Sequence, residues 1–178
     1  HDIGPGNCMI DEWIRKNSDK KFDERGDIAK SGKVNDLILN QAIENFSNFS
    51  YINSLDVKEF DVSFAKGLSL EDGCATITKF TAYLIAEGLK KTDNIQETNF
   101  LCGGGRKNYF LIENIKNFLF NEKFQIKNID DYKLDGDFIE SQAFAYLAIR
   151  SFLNLPISFP STTKCKLPIS GGIINKNF

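Results

Sequence analysis

Two glycine-rich turns hold the residues whose types and spacing could do chemistry. One of them, Gly103, Gly104 and Gly105, follows a short apolar run at residues 100–102. Helically spaced apolar residues continue through 108–120, so the order predicts a strand, a glycine turn and a helix. Such a turn lets a phosphate or nucleotide approach bare backbone at a helix N-terminus. An ordinary strand-to-helix turn is the alternative, and three consecutive glycines favour ligand contact.

The other turn has an acidic residue in front of it. Asp2 precedes a loop that contains Gly4 and Gly6, and Asn7 is the expected N-cap of a helix over residues 8–15. An aspartate held beside a helix start could act as a general base toward a phosphoryl acceptor. Aspartate also caps turns, and from spacing alone this structural role of Asp2 is slightly favoured.

The histidine content narrows the chemistry further. His1 is the sole histidine, which argues against Ser-His-Asp and Cys-His catalysis and against a histidine-rich metal site. A carboxylate is therefore the expected base for any proton transfer. The formal net charge of −2, with no basic stripe, disfavours nucleic-acid binding.

Four scattered cysteines, with no paired spacing for zinc, favour free thiols in a reducing compartment. No apolar run is long enough for a membrane span, and no signal-peptide pattern is present. We therefore expect a cytoplasmic protein that does not bind membranes.

Long helices must position these turns. The pattern predicts helices at 27–31, 34–46, 57–64, 69–91 and 138–153, a strand at 123–129 and an extended tail from residue 154. Ser69 begins an apparent capping box, and the small residues after it predict close packing against another element. In one helix the side chains expected to face inward are Val34, Leu37, Ile38 and Ile43. In another, the apolar residues that cluster are Ile139, Phe144, Leu147, Ala148 and Phe152. The fold class is a helix-rich α/β arrangement with few strands.

Four stretches, in order, carry a family resemblance: residues 2–14, 67–82, 102–108 and 137–150. Together they resemble the anhydro-N-acetylmuramic acid kinases, ATP-dependent sugar kinases of the actin/hexokinase/Hsp70-like superfamily. The family's proteins are about twice as long. The resemblance therefore implies that residues 1–178 are a single ATPase and sugar-kinase lobe: the C-terminal half of an actin-like (ribonuclease H-like) ATPase fold, with an incomplete sheet and the N-terminal lobe absent.

The resemblance also implies a reaction and a set of site residues. The family hydrolyses the 1,6-anhydro ring of anhydro-N-acetylmuramic acid and phosphorylates O6, giving the 6-phosphate during cell-wall recycling. Asp2 matches the base that activates water, and Glu140 matches an acid associated with the sugar. The implied nucleotide contacts are Gly103, Gly104, Gly105 and Asn108, and the implied phosphate loop contains Gly4 and Gly6.

The implied cofactors are ATP and Mg²⁺, with the metal held chiefly by ATP and no metal ligands assigned to the protein. A homodimer is implied for the full-length protein. Two positions depart from the family pattern: Ile3 replaces a threonine, and Asn53 stands where a lysine is usual.

Two alternatives remain at this stage. Gly103 and Gly105 with Asn108 come near the dinucleotide-binding pattern, which would indicate a Rossmann-like or methyltransferase-like domain, although the last glycine is missing. The chain could also be an inactive truncated remnant. For the kinase itself, we expect the isolated 178-residue chain to be inactive or nearly so.

Overall fold

Seven helices and two strands make up the part of the chain that a computed structural model describes, residues 3–46, 60–91, 98–120 and 124–173. The helices are α1 (Cys8–Asn17), α2 (Asp27–Ser31), α3 (Asp36–Phe46), α4 (Leu70–Lys90), α5 (Tyr109–Phe118), α6 (Ile139–Phe152) and α7 (Pro160–Thr163). The strands are β1 (Thr98–Leu101) and β2 (Gln125–Asn128). The predicted helices at 8–15, 27–31, 34–46, 69–91, 108–120 and 138–153 are confirmed with shifts of a few residues at their ends.

Helix α4 lies at the centre of the fold and packs against α1, α2, α3 and α5. Its N-terminus is capped as predicted, because the Ser69 hydroxyl accepts a hydrogen bond from the Asp72 N–H at 3.1 Å. Apolar residues cover most of its circumference, as expected for a helix buried on several sides.

Small residues along α4 allow its neighbours to approach closely, which confirms that prediction. A Cβ at Gly73 would overlap the Trp13 ring of α1, whose Nε1 donates to the Leu70 carbonyl at 2.9 Å. A Cβ at Gly88 would lie 2.6 Å from the Cβ of Ile3. The helix therefore fixes both α1 and the loop before it.

The core consists of the apolar sides of α1, α3, α4 and α5. Its fully buried large apolar side chains include Met9, Ile10, Ile14, Ile77 and Leu84. Helix α3 faces this core with Leu39, Ala42 and Phe46, whereas Leu37 is 84% exposed. The prediction that Leu37 faces inward was wrong, because Leu37 lies outside the buried stripe of this helix. The other predicted residues, Val34, Ile38 and Ile43, are half-buried, and Val34 and Ile43 pack against the core.

The two strands pair in parallel, with Thr98 opposite Gln125 and Leu101 opposite Asn128. Helix α5 connects them, so the described residues contain one strand–helix–strand unit. The strand predicted at 123–129 is confirmed over Gln125–Asn128. Of the helix predicted at 57–64, only residues from 60 onward are described, and there Ser63–Ala65 form a single 3₁₀ turn.

Helix α6 forms as predicted, but none of its residues is buried. The described core therefore includes none of the clustered apolar residues, which are Ile139, Phe144, Leu147, Ala148 and Phe152. The tail is mostly exposed; it adds the short helix α7 and an antiparallel bridge between Ser158 and Ile169.

All four cysteines are free thiols. No helix in the described ranges combines the length and apolar character needed to cross a bilayer.

Candidate active site

The two glycine-rich turns predicted from the sequence lie side by side. The Asn108 side-chain amide donates a hydrogen bond to Oδ1 of Asn7 at 3.4 Å, across 101 residues of sequence. Asn108 also caps α5, since its Oδ1 accepts from the Leu111 N–H at 3.0 Å. The start of α1 and the start of α5 therefore converge on one place.

Asn108 is 3% exposed, and its side chain is hydrogen-bonded both to Asn7 and to the Leu111 N–H. A Cβ at Gly26 would collide with its Oδ1, so the turn before α2 also packs against it. We predicted Asn108 as a nucleotide contact. The geometry gives it a structural role that holds the two turns together.

The three glycines of the second turn differ from one another. Gly103 has φ 65° and ψ −171°, a conformation that other residues rarely adopt. Gly104 and Gly105 lie outside the left-handed region, and a Cβ on either would meet no protein atom within 4 Å. The protein itself therefore needs glycine at 103, while the glycines at 104 and 105 leave open space on the outside of the turn.

The buried side chain of Arg106 connects this turn to the acidic loop at residues 130–137. Its guanidinium donates to the Gly103 carbonyl at 2.9 Å and to carboxylate oxygens of Asp130 at 2.8 Å and Asp137 at 2.5 Å. The side chain is only 4% exposed. These hydrogen bonds with Arg106 lower the pKa of Asp130 and of Asp137, and they raise the pKa of Arg106 above its already high value.

Gly136 makes room for this arrangement. Its carbonyl accepts from the Gly103 N–H at 2.8 Å, and its own N–H donates to Asp130 at 2.9 Å. A Cβ at Gly136 would lie 2.7 Å from Cδ and 2.8 Å from Cζ of Arg106. The acidic loop at residues 130–137 thus supports the glycine turn.

A cavity of about 680 Å³ opens between the two turns. Both polar and aromatic side chains line it: Asn7, Asp11, Phe22, Asp23, Glu24, Arg25, Gly104, Arg106, Lys107, Asn108, Tyr109, Asn128 and Asp130. Its size lies within the ~300–1,000 Å³ range of small-molecule sites. Its position between two helix N-termini suits a ligand that carries negative charge.

Two carboxylates on one wall of the cavity have different environments. Asp23 is buried and caps α2, accepting from the N–H groups of Ile28 at 2.8 Å and Ala29 at 3.0 Å. The pKa of Asp11 is raised, mainly by burial and partly by the negative charge of Asp23, against an opposing effect of Arg15.

Cys74 of α4 lies behind Asp23, and its Sγ donates to a carboxylate oxygen of Asp23 at 3.4 Å. Burial, followed by the Asp23 charge, raises the pKa of this thiol strongly. The thiol is therefore protonated and inert.

The predicted site residues are distributed unevenly around the cavity. Gly104 and Asn108 line it, and Gly103 and Gly105 flank Gly104 in the same turn. Asp2 and Asn53 lie outside the described residues.

Three predicted residues are not part of the cavity wall. Gly6 has φ +56°, and a Cβ at Gly4 would make ordinary contact with Ile85 of α4 at 3.5 Å, so both shape the loop before α1. Glu140 is exposed in the first turn of α6 and does not line the cavity.

Residues that the sequence reasoning missed contribute much of the wall. Phe22 and Tyr109 are exposed aromatic side chains at its mouth, and Arg25 has φ 59°, which is uncommon for a residue other than glycine. The sequence did not indicate that these residues line a cavity. Phe22 stands in a charged segment between predicted helices, and Tyr109 fits the pattern of an ordinary helix residue. Among the described residues, no group of three or more histidine, cysteine, aspartate or glutamate side chains could hold a metal ion.

Fold and cavity together define a helix-rich α/β domain with a cavity between the start of α1 and a glycine turn. The family model for anhydro-N-acetylmuramic acid kinase matches residues 1–177. The chain belongs to the anhydro-N-acetylmuramic acid kinase family, and membership implies an actin-like ATPase fold.

Curated proteins named anhydro-N-acetylmuramic acid kinase are similar over nearly the whole chain. The protein of Pelagibacter ubique is 52% identical over 99% of this chain and 48% of its own length. Those of Zymomonas mobilis and Brucella canis are 38% and 34% identical, over 98% and 97% of this chain and 47% of their own lengths.

The chain thus spans about half the length of the curated relatives that it matches. This confirms a partial-length match and the family resemblance. The comparisons do not confirm that the matched part is the C-terminal half. The Rossmann-like and methyltransferase-like alternative is not supported, because the family match covers both glycine turns.

Proposed function

We propose that this chain is the nucleotide-binding lobe of an ATP-dependent kinase that opens the 1,6-anhydro ring of anhydro-N-acetylmuramic acid and phosphorylates O6. The product would be N-acetylmuramic acid 6-phosphate, an intermediate of peptidoglycan recycling. The observation that carries this proposal is the cavity between the loop at 4–7 and the turn at 103–105. The relatives' shared name supplies the substrate.

ATP fits the open side of the glycine turn. The free space beside Gly104 and Gly105 would accept part of the nucleotide, since nothing in the protein occupies it. At the other side of the cavity, no side chain caps the first turn of α1. The Cys8 N–H donates to the Pro5 carbonyl, so the N–H groups of Met9 and Ile10 would be the ones left for an anion. ATP would bring Mg²⁺ on its phosphates, and the metal would neutralise charge during phosphoryl transfer.

The chemical step needs one general base. In the proposed reaction, Asp2 takes a proton from water as the water oxygen bonds to the anomeric carbon and the bond from that carbon to O6 breaks. The freed O6 bonds to the γ-phosphorus, and ADP leaves. Asp2 then releases its proton to solvent, so sugar, water and ATP become the 6-phosphate, ADP and one proton.

Asp2 would enter the site immediately before the loop fixed on α4 by Ile3 and Gly4. Glu140 is proposed to contact the sugar. Because Glu140 lies away from the cavity wall, this contact would require the sugar to extend toward α6.

We further propose that residues 1–178 form one lobe and that the isolated chain has little or no activity. A cavity open on one side can bind nucleotide, but water must be excluded from phosphoryl transfer by a second wall. The remaining length of the family protein would supply that wall and most of the sugar contacts. The intact protein is proposed to be cytoplasmic and, like its family, a homodimer.

The decisive experiment joins this chain to the part of the Pelagibacter ubique relative that it does not match. Wild-type and Asp2→Asn forms are incubated with the anhydro sugar and ATP·Mg²⁺ in ¹⁸O-labelled water. The wild type should form the 6-phosphate with the label at the anomeric carbon at early times, before solvent exchange. Loss of a general base should slow the reaction by about 10²–10⁴-fold.

The outcomes separate the parts of the proposal. Equal activity of the two forms would reject Asp2 as the base and leave the kinase assignment. Label on O6 or on the phosphate would reject attack of water at the anomeric carbon. Absence of any product from the joined wild type, with ATP bound, would reject the substrate.

A further inference from the structure

Helix α6 presents a continuous apolar face to solvent. Phe144, Ala148 and Phe152 follow one another at four-residue spacing along one side, with Ala145 and Ile149 beside them; these five residues are the α6 face. Phe144 is 64%, Ile149 60% and Phe152 68% exposed. A helix with one continuous apolar face normally packs that face against another part of the protein.

The opposite side of α6 is already occupied by the segment that follows it. Arg150 donates to the Pro156 carbonyl at 2.6 Å, and its guanidinium lies 5.6 Å from the centre of the Phe159 ring. Residue 150 is two positions from Ala148, so these contacts lie away from the α6 face. The described parts of the chain cover one side of the helix and leave the other uncovered.

The sheet is incomplete in the same way. Parallel sheets are usually covered on both faces, yet the described sheet has two strands and Phe100 of β1 is half-exposed. The sheet and the α6 face thus both expose apolar residues that would lie in the core of a larger protein.

We propose that the α6 face is the surface on which the remaining half of the family's length packs. The family match includes α6, and relatives such as that of Pelagibacter ubique carry about as much chain again as this chain covers. An occupant of that length can bury a helix face of four turns. The proposal does not depend on the sugar or on the reaction.

The test mixes this chain with the unmatched part of the Pelagibacter ubique relative, expressed as a separate polypeptide, in sedimentation velocity. Phe152→Asp is compared with Leu37→Asp, an equally drastic change at an exposed apolar position of α3. The wild type and Leu37→Asp should form a one-to-one complex. Phe152→Asp should weaken it by at least about tenfold, which corresponds to roughly 1.4 kcal/mol.

Fluorescence of Trp13, which is buried in the core, checks that each variant is folded. Phe152→Asp should leave this fluorescence unchanged, because α6 contributes no buried residue to the core. A complex of equal strength in both variants would overturn the proposal. Self-association of the wild type that Phe152→Asp abolishes, without a mixed complex, would assign the face to a second copy instead.

A second measurement covers the case in which the separate half does not fold. Phe152→Cys is labelled with a maleimide, both in this chain and in the covalently joined protein, and peptide mapping distinguishes it from the native cysteines. Labelling should be at least about tenfold slower in the joined protein, since burial limits access of the reagent. Equal rates would overturn the proposal.

Discussion

Alanine substitutions within one turn can separate ligand contact from folding. Gly103, Gly104 and Gly105 are adjacent, yet only Gly103 has a backbone conformation that demands glycine. Gly103→Ala should therefore lower stability, whereas Gly104→Ala and Gly105→Ala should leave the fold intact. If ATP lies against the open side of the turn, the latter two variants should nevertheless lose affinity for it.

The expected magnitudes follow from the local geometry. Forcing a Cβ onto φ 65° and ψ −171° costs about 1–3 kcal/mol, because this conformation is sparsely populated for residues other than glycine. At Gly104 a Cβ meets no atom within 4 Å, so alanine should be neutral or should stabilise by up to about 1 kcal/mol through the unfolded state. An added methyl group in a phosphate contact should weaken ATP binding by about tenfold or more, or roughly 1.4 kcal/mol.

Two assays on the joined protein distinguish these effects. Urea unfolding gives the free energy of unfolding, and calorimetric titration with ATP·Mg²⁺ gives the dissociation constant. Leu37→Ala, at an exposed position of α3, serves as the control for both. Wild-type affinity in both Gly104→Ala and Gly105→Ala would refute the reasoning that the open glycines accommodate nucleotide.

Three further predictions concern the packing around the site. Gly73→Ala should destabilise the protein by about 1–3 kcal/mol, because its Cβ would overlap Trp13, and the fluorescence of this sole tryptophan reports the change. The pairing with Arg106 lowers the pKa of Asp137, so the carboxylate stabilises the fold above its unfolded pKa of about 3.9 and this contribution is lost as pH falls through the lower folded value. Asp137→Asn should therefore show a shallower loss of stability between pH 5 and pH 2, measured by urea unfolding. Cys74 should react with a thiol reagent only upon unfolding, because it is buried and its pKa is raised.

Each of these three predictions has a control variant or a control residue. Gly104→Ala should not change the tryptophan fluorescence, and an equal loss of stability in both glycine variants would contradict the packing argument. Asp131→Asn, in the same loop but not paired with Arg106, should keep the wild-type pH dependence. Cys8 and Cys102 are exposed and should react in the native protein, so equal rates for Cys74 would contradict its burial.

The sequence was sufficient for features that depend on neighbouring residues. The Ser69 cap, the length of α4 and the glycine turn follow from local chemistry over a few positions, and the structure has all three. Leu37 of α3 was assigned to the wrong side because both sides of that helix carry apolar residues. Only the position of α4 decides that Leu39 is buried and Leu37 exposed.

The support of the site could not be predicted, because it joins distant segments. Arg106 pairs with carboxylates 24 and 31 residues further along the chain, and Gly136 is required to be small only because Arg106 lies against it. Neither spacing nor composition indicates such a contact. The contact of Asn108 with Asn7, 101 residues away in the sequence, was likewise not predictable, and the proposed nucleotide contact of Asn108 stays a prediction.

The same distant contacts connect the proposed nucleotide site to the α6 face. Arg106 holds the carbonyl of Gly103 with one part of its guanidinium and Asp137 with another, and α6 begins two residues after Asp137. A polypeptide that packs on α6 would therefore bear on the loop that supports the glycine turn. Because that loop is bonded to the turn at both Gly136 and Asp137, a displacement of α6 cannot leave the geometry of Gly103 unchanged unless these bonds break. If both proposals hold, the completed core and the proposed nucleotide site would be linked through Arg106, which contacts the glycine turn and the loop before α6.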